Sequence, residues 1–455
     1  MMAREYIIIH NQKISHGKYV SFDLNCSKGI KKYLLSDRLF AEYDVAISGL
    51  NPSILQIPAV SGVITIAWAL GADIYVEEID KTYLEYLQRM GSVVKHWRRA
   101  RDFSCTGEIH TRKVVSNNFV NDNHGLLFTG GVDSLASYIK HQNEKPILMH
   151  VWGADIPPND EKNGKRRVKR LTTFATKEKV PIHVVRTNIP RALNDGLLYV
   201  RYGLDWWQQI NHTIVLTGVC APLTSALNID TLYVASAVTP EFGIAGGSTP
   251  IVATKMSWGN THIVYDNYKV SRQLKIRNFI KDYMKNEERI FLKICNNYQR
   301  PESNCGSCSK CLRTITQLAL EGINPNKYGF NNVSEHTFQR IKERFEKKKF
   351  FRKRWIVERE GDYTSRVGEA YYWRDMQENI PETIEDDPIG AKKFFEWFRD
   401  FDISDYLHRT EKSIKIPPAI FLYVCFLNIF NLMPGNMQRS LQQILDFSMS
   451  TYLKL

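Results

Sequence analysis

From Leu126 to Ala235 the chain alternates short apolar runs, interrupted only by His150 and His183, with segments of helical composition. Leu126–Phe128, Ile147–Val151, Ile182–Val185 and Leu232–Ala235 are the runs, and none shows the polar/apolar alternation of a strand with one wet face. A strand that is apolar at successive positions must be covered on both sides. The pattern therefore predicts an α/β fold: a parallel sheet with helices on both faces. Ligands of such sheets bind at the carboxyl ends of the strands. Here that edge would gather the residues after Phe128, Trp152–Asp155, Arg186–Asn188 and Ser236.

The first of these strand ends reads Phe128-Thr129-Gly130-Gly131-Val132-Asp133-Ser134, followed by the helical Leu135–Lys140. Strand, glycine turn and helix together aim backbone N–H groups and a helix N-terminus at one concavity, which suits phosphate. Adjacent glycines permit positive φ and close approach of a ligand. Neither GxxxxGK[ST] nor GxGxxG is present, so the turn is neither a Walker A loop nor a Rossmann fingerprint. An ordinary strand-to-helix turn with a Ser/Asp cap remains open from the glycines alone.

The second concentrated signal is Cys295-x9-Cys305-x2-Cys308-x2-Cys311, four of eight cysteines within one short stretch. Thiolates three residues apart can wrap one tetrahedral ion, with Gly306 permitting the turn and Cys295, at the end of an expected Phe291–Ile294 strand, closing the shell. Four sulfurs favour structural Zn²⁺ over an iron–sulfur cluster. A closed site of this kind would shape the loop that carries Arg313.

The chain has 455 residues, enough for two or three domains, and a formal charge of +13 that favours anionic partners. Residues 1–120 are expected to form an N-terminal α/β unit, with strands at Tyr6–Ile9, Tyr43–Ile47 and Ile74–Val76. Its helices should be the apolar Pro58–Leu70, ended by Gly71, and Asp80–Met90, capped by Asp80. Trp97, Arg98, Arg99 and Arg101 make a basic aromatic patch. Residues 121–330 would hold the phosphate loop and the cysteines. Within them, Lys162–Arg170 carries six basic and no acidic residues, a loop or exposed helix start, and Ile214–Leu227 reads as one buried helix. The long loop Thr239–Gly259, with Glu241, Gly243, Gly246, Ser248 and Trp258, suggests a pocket wall or lid. Ser271 should cap a helix placing Arg272 and Lys275 on one face. A short helix is expected at Leu312–Glu321, stopped by Gly322.

Residues 331–455 read as a mostly helical extension: a basic, aromatic Ile341–Glu360, an acidic linker Glu378–Asp387, and an apolar segment after Pro417-Pro418. Neither Tyr6–Ile9 nor Ala419–Met433, broken by Asn428 and Asn431, has the make-up of a signal peptide or a membrane span, so a soluble cytoplasmic protein is expected.

Together, the TGGVDS loop and the cysteine run resemble the PP-loop ATP pyrophosphatases, and more closely the 7-cyano-7-deazaguanine synthase family of queuosine biosynthesis. That family pairs an SGGxDS loop with a C…CxxCxxC zinc site; Thr129 stands here in place of the serine. The likeness spans residues 125–325 and leaves both flanks unmatched, which is similar to the enlarged relatives of bacterial antiphage operons that attach a deazapurine to a partner protein. The resemblance implies an adenine nucleotide alpha hydrolase-like fold and ATP with Mg²⁺ as well as Zn²⁺. A carboxylate such as 7-carboxy-7-deazaguanine would be adenylated, and a nitrogen nucleophile would then displace AMP. It implies nucleotide contacts from Phe128, Thr129, Gly130, Gly131, Val132, Asp133, Ser134 and Trp152. Asp133, Ser134, Lys275 and Arg272 would be catalytic, and Arg186, Glu241, Ser248, Trp258 and Arg313 would meet the substrate. A protein partner would use the N- or C-terminal extension, and no membrane is implied. Standard nitrile synthesis with ammonia, a tRNA-thiolating PP-loop enzyme and a non-catalytic nucleotide-sensing scaffold remain open.

Overall fold

A computed structural model of the chain describes residues 4–97, 100, 102–120, 122–242, 247–285, 290–295, 304–347 and 364–403. Arg98, Arg99 and Arg101 of the basic patch, Gly243 and Gly246, residues 348–360, and the segment after Pro417-Pro418 lie outside them.

The strands are β1 (Tyr6–Ser15), β2 (Tyr19–Cys26), β3 (Arg38–Tyr43), β4 (Asp73–Asp80), β5 (Ile109–Val115), β6 (Asn123–Leu127), β7 (Ile147–Trp152), β8 (Ile182–Thr187), β9 (Ile229–Ala235), β10 (Ser257–Trp258) and β11 (Thr261–Asp266). All eleven join one sheet in the order β10-β11-β9-β6-β7-β8-β3-β2-β1-β4-β5. Its centre is parallel through β11, β9, β6, β7 and β8. The expected parallel arrangement ends at β3, which runs antiparallel to β8 with Glu42 opposite Arg186, and at the antiparallel β1–β2 and β2–β3 pairs. The fold is thus mixed α/β, a central sheet flanked by helices, with a mostly helical C-terminal region. Through β3 and β8 the sheet continues without a break from the first hundred residues into the strands that follow.

The central strands alternate between two cores. Leu127, Met149, Leu232 and Val234 face one core, whereas Leu126, Phe128, Leu148 and Tyr233 face the other. The first core is filled by α1 (Ile57–Leu70), in which 13 of 14 residues are buried. A helix apolar all round has no wet face to offer, and α1 is accordingly enclosed between the sheet and its neighbours. Gly71 ends it at φ 66°. Beside it lies α2 (Lys81–Lys95), whose N-terminus Asp80 caps by accepting from the Tyr83 N–H. The second core takes α3 (Val132–His141) and α4 (Glu161–Glu178) and then the later helices.

Several local expectations need correction. Tyr43–Ile47 is not a strand: β3 ends at Tyr43, where the backbone turns toward Ile47. Ile214–Leu227 is two helices, α5 (His212–Gly218) and α6 (Ala221–Ala226), because the chain turns at Val219-Cys220 ahead of Pro222. Of the two readings of Lys162–Arg170, the helix start holds: the run opens α4, with Gly164 and Arg167 buried. The Thr239–Gly259 segment holds a short helix at Pro250–Ala253 and β10. Phe291–Ile294 forms no strand, although the Leu292 and Lys293 N–H groups donate to the Tyr328 and Gly130 carbonyls.

Ser271 caps the turn Arg272–Lys275 (α7) by accepting from the Leu274 N–H at 3.3 Å. Then come α8 (Ser309–Leu320), α9 (Glu335–Glu346), α10 (Thr364–Glu378) and α11 (Lys392–Arg399). Trp373 and Met376 of α10 and Phe394, Phe395 and Phe398 of α11 are buried in the second core with Ile315 and Leu318 of α8. Among the described residues no helix is long and apolar enough to cross a membrane.

Candidate anion and metal site

The turn after β6 is tied to itself. Ser134 Oγ accepts from the Thr129 N–H at 3.3 Å and donates to the Gly131 carbonyl at 3.3 Å, which closes the loop around its own helix start. Of the two glycines only Gly130 has positive φ, 72°. Gly131 lies at φ −90° as the residue before α3, and no side chain caps that terminus. At the start of α3, Thr129, Gly131, Val132, Asp133 and Ser134 line a cavity of about 90 Å³. Unsatisfied N–H groups and the helix dipole make that wall positive.

The other walls are cationic. Arg167, Arg272, Lys293 and Lys310 line the cavity together with Asp155, Ile294 and Cys295. Behind them, Arg272 Nη1 and Lys275 Nζ each stand 3.5 Å from an Asp133 oxygen, with the Arg272 and Lys275 side chains only 3% and 1% exposed. Lys275 also donates to the Ser236 carbonyl, and Arg272 Nε has no hydrogen-bond partner among the described residues. Burial pushes the Asp133 carboxyl up, but Arg272, Lys275, Lys310 and Arg313 outweigh it and hold the group below its ordinary range. Burial lowers both Lys275 and Lys310, which Asp133 and Asp155 respectively offset in part. Six cationic side chains are therefore gathered around two carboxylates, Asp133 and Asp155. Buried charge of one sign calls for a counter-ion.

Arg313 lies just behind this wall, on α8. Its guanidinium sits 3.8 Å over the ring of Tyr372, and Tyr372 of α10 donates to the Ala237 carbonyl at 2.8 Å. Helix α10 is held there by a buried network: the Gln273 N–H donates to Asp375 at 3.0 Å, and Arg277 reaches both Glu321 and Asn379. The C-terminal helical region thus covers the cationic wall.

The four cysteines converge beside the cavity, their sulfurs all within 4.8 Å of one another. Cys305 and Cys311 Sγ are 3.7 Å apart, against an edge of ~3.8 Å for a tetrahedron with 2.3 Å metal–sulfur bonds. The Cys308 N–H donates to Cys305 Sγ at 3.3 Å, and Gly306 turns at φ 66°. The donor set fits a tetrahedral metal ion. Asn304 braces the centre: its side chain accepts from the Ile294 and Cys295 N–H groups and donates to the Leu292 and Gly329 carbonyls.

The structure brings Thr129, Gly130, Gly131, Val132, Asp133, Ser134, Arg272, Lys275 and Arg313 together, and sets the cysteines against them. It places the other expected site residues elsewhere. Phe128 is core, its ring 4.8 Å from that of Phe174. Trp152 packs on Gly164 and donates to the Pro157 carbonyl at 3.1 Å. Arg186 is engaged by Glu161, Glu42 and the Pro158 carbonyl. Trp258 is fully buried and donates to Thr224 Oγ1 at 2.9 Å. Ser248 pairs with His212, and Glu241 is exposed. Lys293, Lys310 and Arg167 were not expected. The only signal for them was the basic run in α4 and a lysine between two metal-type cysteines. Comparisons of the chain with protein-family models, curated proteins and solved structures find no match.

Proposed function

We propose that the chain is an ATP-dependent ligase of the PP-loop pyrophosphatase type, acting on a 7-carboxy-7-deazaguanine-like acid. The observation that carries this reading is the buried cationic set facing the N-terminus of α3 across the TGGVDS turn. It suits the polyphosphate of a nucleotide. In the proposed reaction the substrate carboxylate attacks the α-phosphorus of ATP, giving an acyl-adenylate and pyrophosphate. A nitrogen nucleophile then displaces AMP, forming a C–N bond; an amine of a partner protein would stop the reaction at an amide.

The peptide N–H groups of residues 131–134 would hold the leaving pyrophosphate. Arg272 and Lys275, oriented by Asp133, would offset charge developing at the α-phosphate. Asp133 is already spanned by two cations, so it serves first to place them. With Asp155 it supplies the carboxylates from which Mg²⁺ carried by the nucleotide would draw. Zn²⁺ at the four cysteines would supply a structural cross-link.

The test is mass spectrometry after incubating the full-length protein with ATP and 7-carboxy-7-deazaguanine, with ammonia or with candidate partner proteins. The expected outcome is acid-dependent AMP and pyrophosphate, with a mass increment on a protein acceptor. A nitrile product would favour ammonia as the nucleophile. Absence of acid-dependent AMP from folded, zinc-loaded protein under every acceptor condition would overturn the proposal.

A further inference from the structure

The metal centre and the anion cavity share backbone. Lys293, Ile294 and Cys295 are consecutive, and all three line the cavity. The Lys293 N–H donates to the Gly130 carbonyl at 3.0 Å, so the segment that ends in a metal-type cysteine is bonded directly to the glycine turn. On the far side of the centre, Cys308 precedes the first residue of α8 and Cys311 lies within its first turn. Lys310 stands between those two sulfurs in sequence, and its side chain lines the same cavity. The two lysines thus come from two separate chain segments that meet at the sulfurs. Asn304 spans the same junction, but it holds only the backbone of 292–295 and 329. Leu292 and Ile294 share a buried core with Leu312 and Ile315 of α8, and the sulfur cluster ties the two segments together at the edge of the cavity.

We infer that metal at the four cysteines sets the affinity of the cavity for a pyrophosphate-like anion by delivering Lys293 and Lys310 to it together, so that metal and anion bind with positive coupling. The inference rests on the anion reading of the cavity given above. A metal bridging Cys295 to Cys308 and Cys311 locks both lysines at one distance from the turn. Without it, the sulfurs no longer fix the spacing of the two lysines, and the anion must set it on arrival. Coupling of this kind is reciprocal: anion in the cavity must in turn hold the metal more tightly.

The experiment uses full-length protein and inorganic pyrophosphate. Isothermal titration compares zinc-loaded with zinc-stripped protein, with circular dichroism reporting whether the stripped chain stays folded. In parallel, zinc release from the loaded protein to a chromophoric chelator is timed with and without pyrophosphate. The expected results are pyrophosphate affinity at least tenfold weaker after stripping, and zinc release slowed severalfold by pyrophosphate. Lys310→Met, loaded with zinc, should bind pyrophosphate weakly and lose the slowing. Stripped, folded protein that binds pyrophosphate as tightly as loaded protein would overturn the coupling while leaving the anion site standing. Should the stripped chain unfold, zinc release decides: a rate indifferent to pyrophosphate overturns the coupling. Loaded wild-type protein that binds no pyrophosphate overturns the anion reading, and the inference with it.

Discussion

Replacing Asp133 by asparagine removes the one carboxylate lying between two almost fully buried cations. Arg272 and Lys275 each stand 3.5 Å from it. At an effective dielectric of ~20, each attraction amounts to about 5 kcal/mol before desolvation. Removing one partner of a buried pair costs about 3–5 kcal/mol, because the remaining charge loses its counter-ion. The carboxylate of Asp133 is 19% exposed, and water reaching it screens part of this. The net cost should be about 2–3 kcal/mol. For a chain of this size that corresponds to a melting temperature lower by about 2–3 °C. The pH dependence has a definite sign. The Asp133 carboxyl is held below its ordinary 3.8, so its stabilisation is complete above that value and lost as pH falls through the folded-state value. The gap between wild type and Asp133→Asn should thus be full at neutral pH and close in strong acid. Pyrophosphate should also narrow it, since an anion in the cavity supplies the missing counter-charge; at a hundred times its Kd a ligand adds about 2.7 kcal/mol. Differential scanning calorimetry with and without pyrophosphate measures each term. An Asp133→Asn protein that melts within a degree of wild type at neutral pH, free of anion, would refute the account of this cluster.

The two glycines of the turn should behave differently. Gly130→Ala forces a side chain to φ 72° and should cost about 1–2 kcal/mol in chemical unfolding. Gly131→Ala, at φ −90° with its new methyl 3.5 Å from the Lys293 carbonyl, should leave stability nearly unchanged but weaken pyrophosphate binding in titration calorimetry. Glu321→Ala leaves Arg277 and Gln273 without the carboxylate both donate to. With Arg277 partly exposed, the loss should be about 2–3 kcal/mol, and limited proteolysis should cut sooner in the 379–391 connection after α10. His141 lies 2.8 Å from Glu144 and 3.3 Å from Asp266, with Lys140 also on Asp266. Burial lowers its pKa, but the two carboxylates outweigh that and raise it. Its contribution is present in full below its unfolded value and lost as pH rises through the folded one. His141→Gln should therefore destabilise more at pH 5.5 than at pH 8.5 in denaturant melts.

Much of the framework was legible because it is written in local pattern. Short apolar runs marked β6 to β9, the almost wholly apolar Pro58–Leu70 marked an enclosed helix, and Asp80 and Ser271 stand as caps where capping chemistry put them. The cysteine spacing indicated a four-sulfur centre, and the sulfurs do converge. What escaped was decided by long-range contact. The first hundred residues join the central sheet through three antiparallel residue pairs between β3 and β8, and no local periodicity in Arg38–Tyr43 says which edge it will find. The second half of β1 is mostly polar and exposed, so its full length carries no apolar signature.

The same physics explains why half of the cationic wall could not be seen. A lysine signals nothing by its sequence neighbours unless those neighbours dictate its burial. Lys310 sits in SCSKC as an unremarkable surface-type residue until the sulfurs on either side fix the start of α8. Lys293 follows an apolar pair and would pass for a strand-edge cation. Arg167 is the fourth of six closely spaced cations in α4, and only its burial beside Asp155 separates it from the solvated ones. The indoles are the converse. Trp152 and Trp258 have the look of base-stacking groups, yet each indole N–H is spent inside the protein and each ring fills a packing space. Charge drawn inward against its solvation, and aromatic surface kept inward in keeping with it, are opposite outcomes of one rule. Burying a cation costs free energy that packing alone does not return, so the inward cations, not the inward rings, are what the proposed anion would answer.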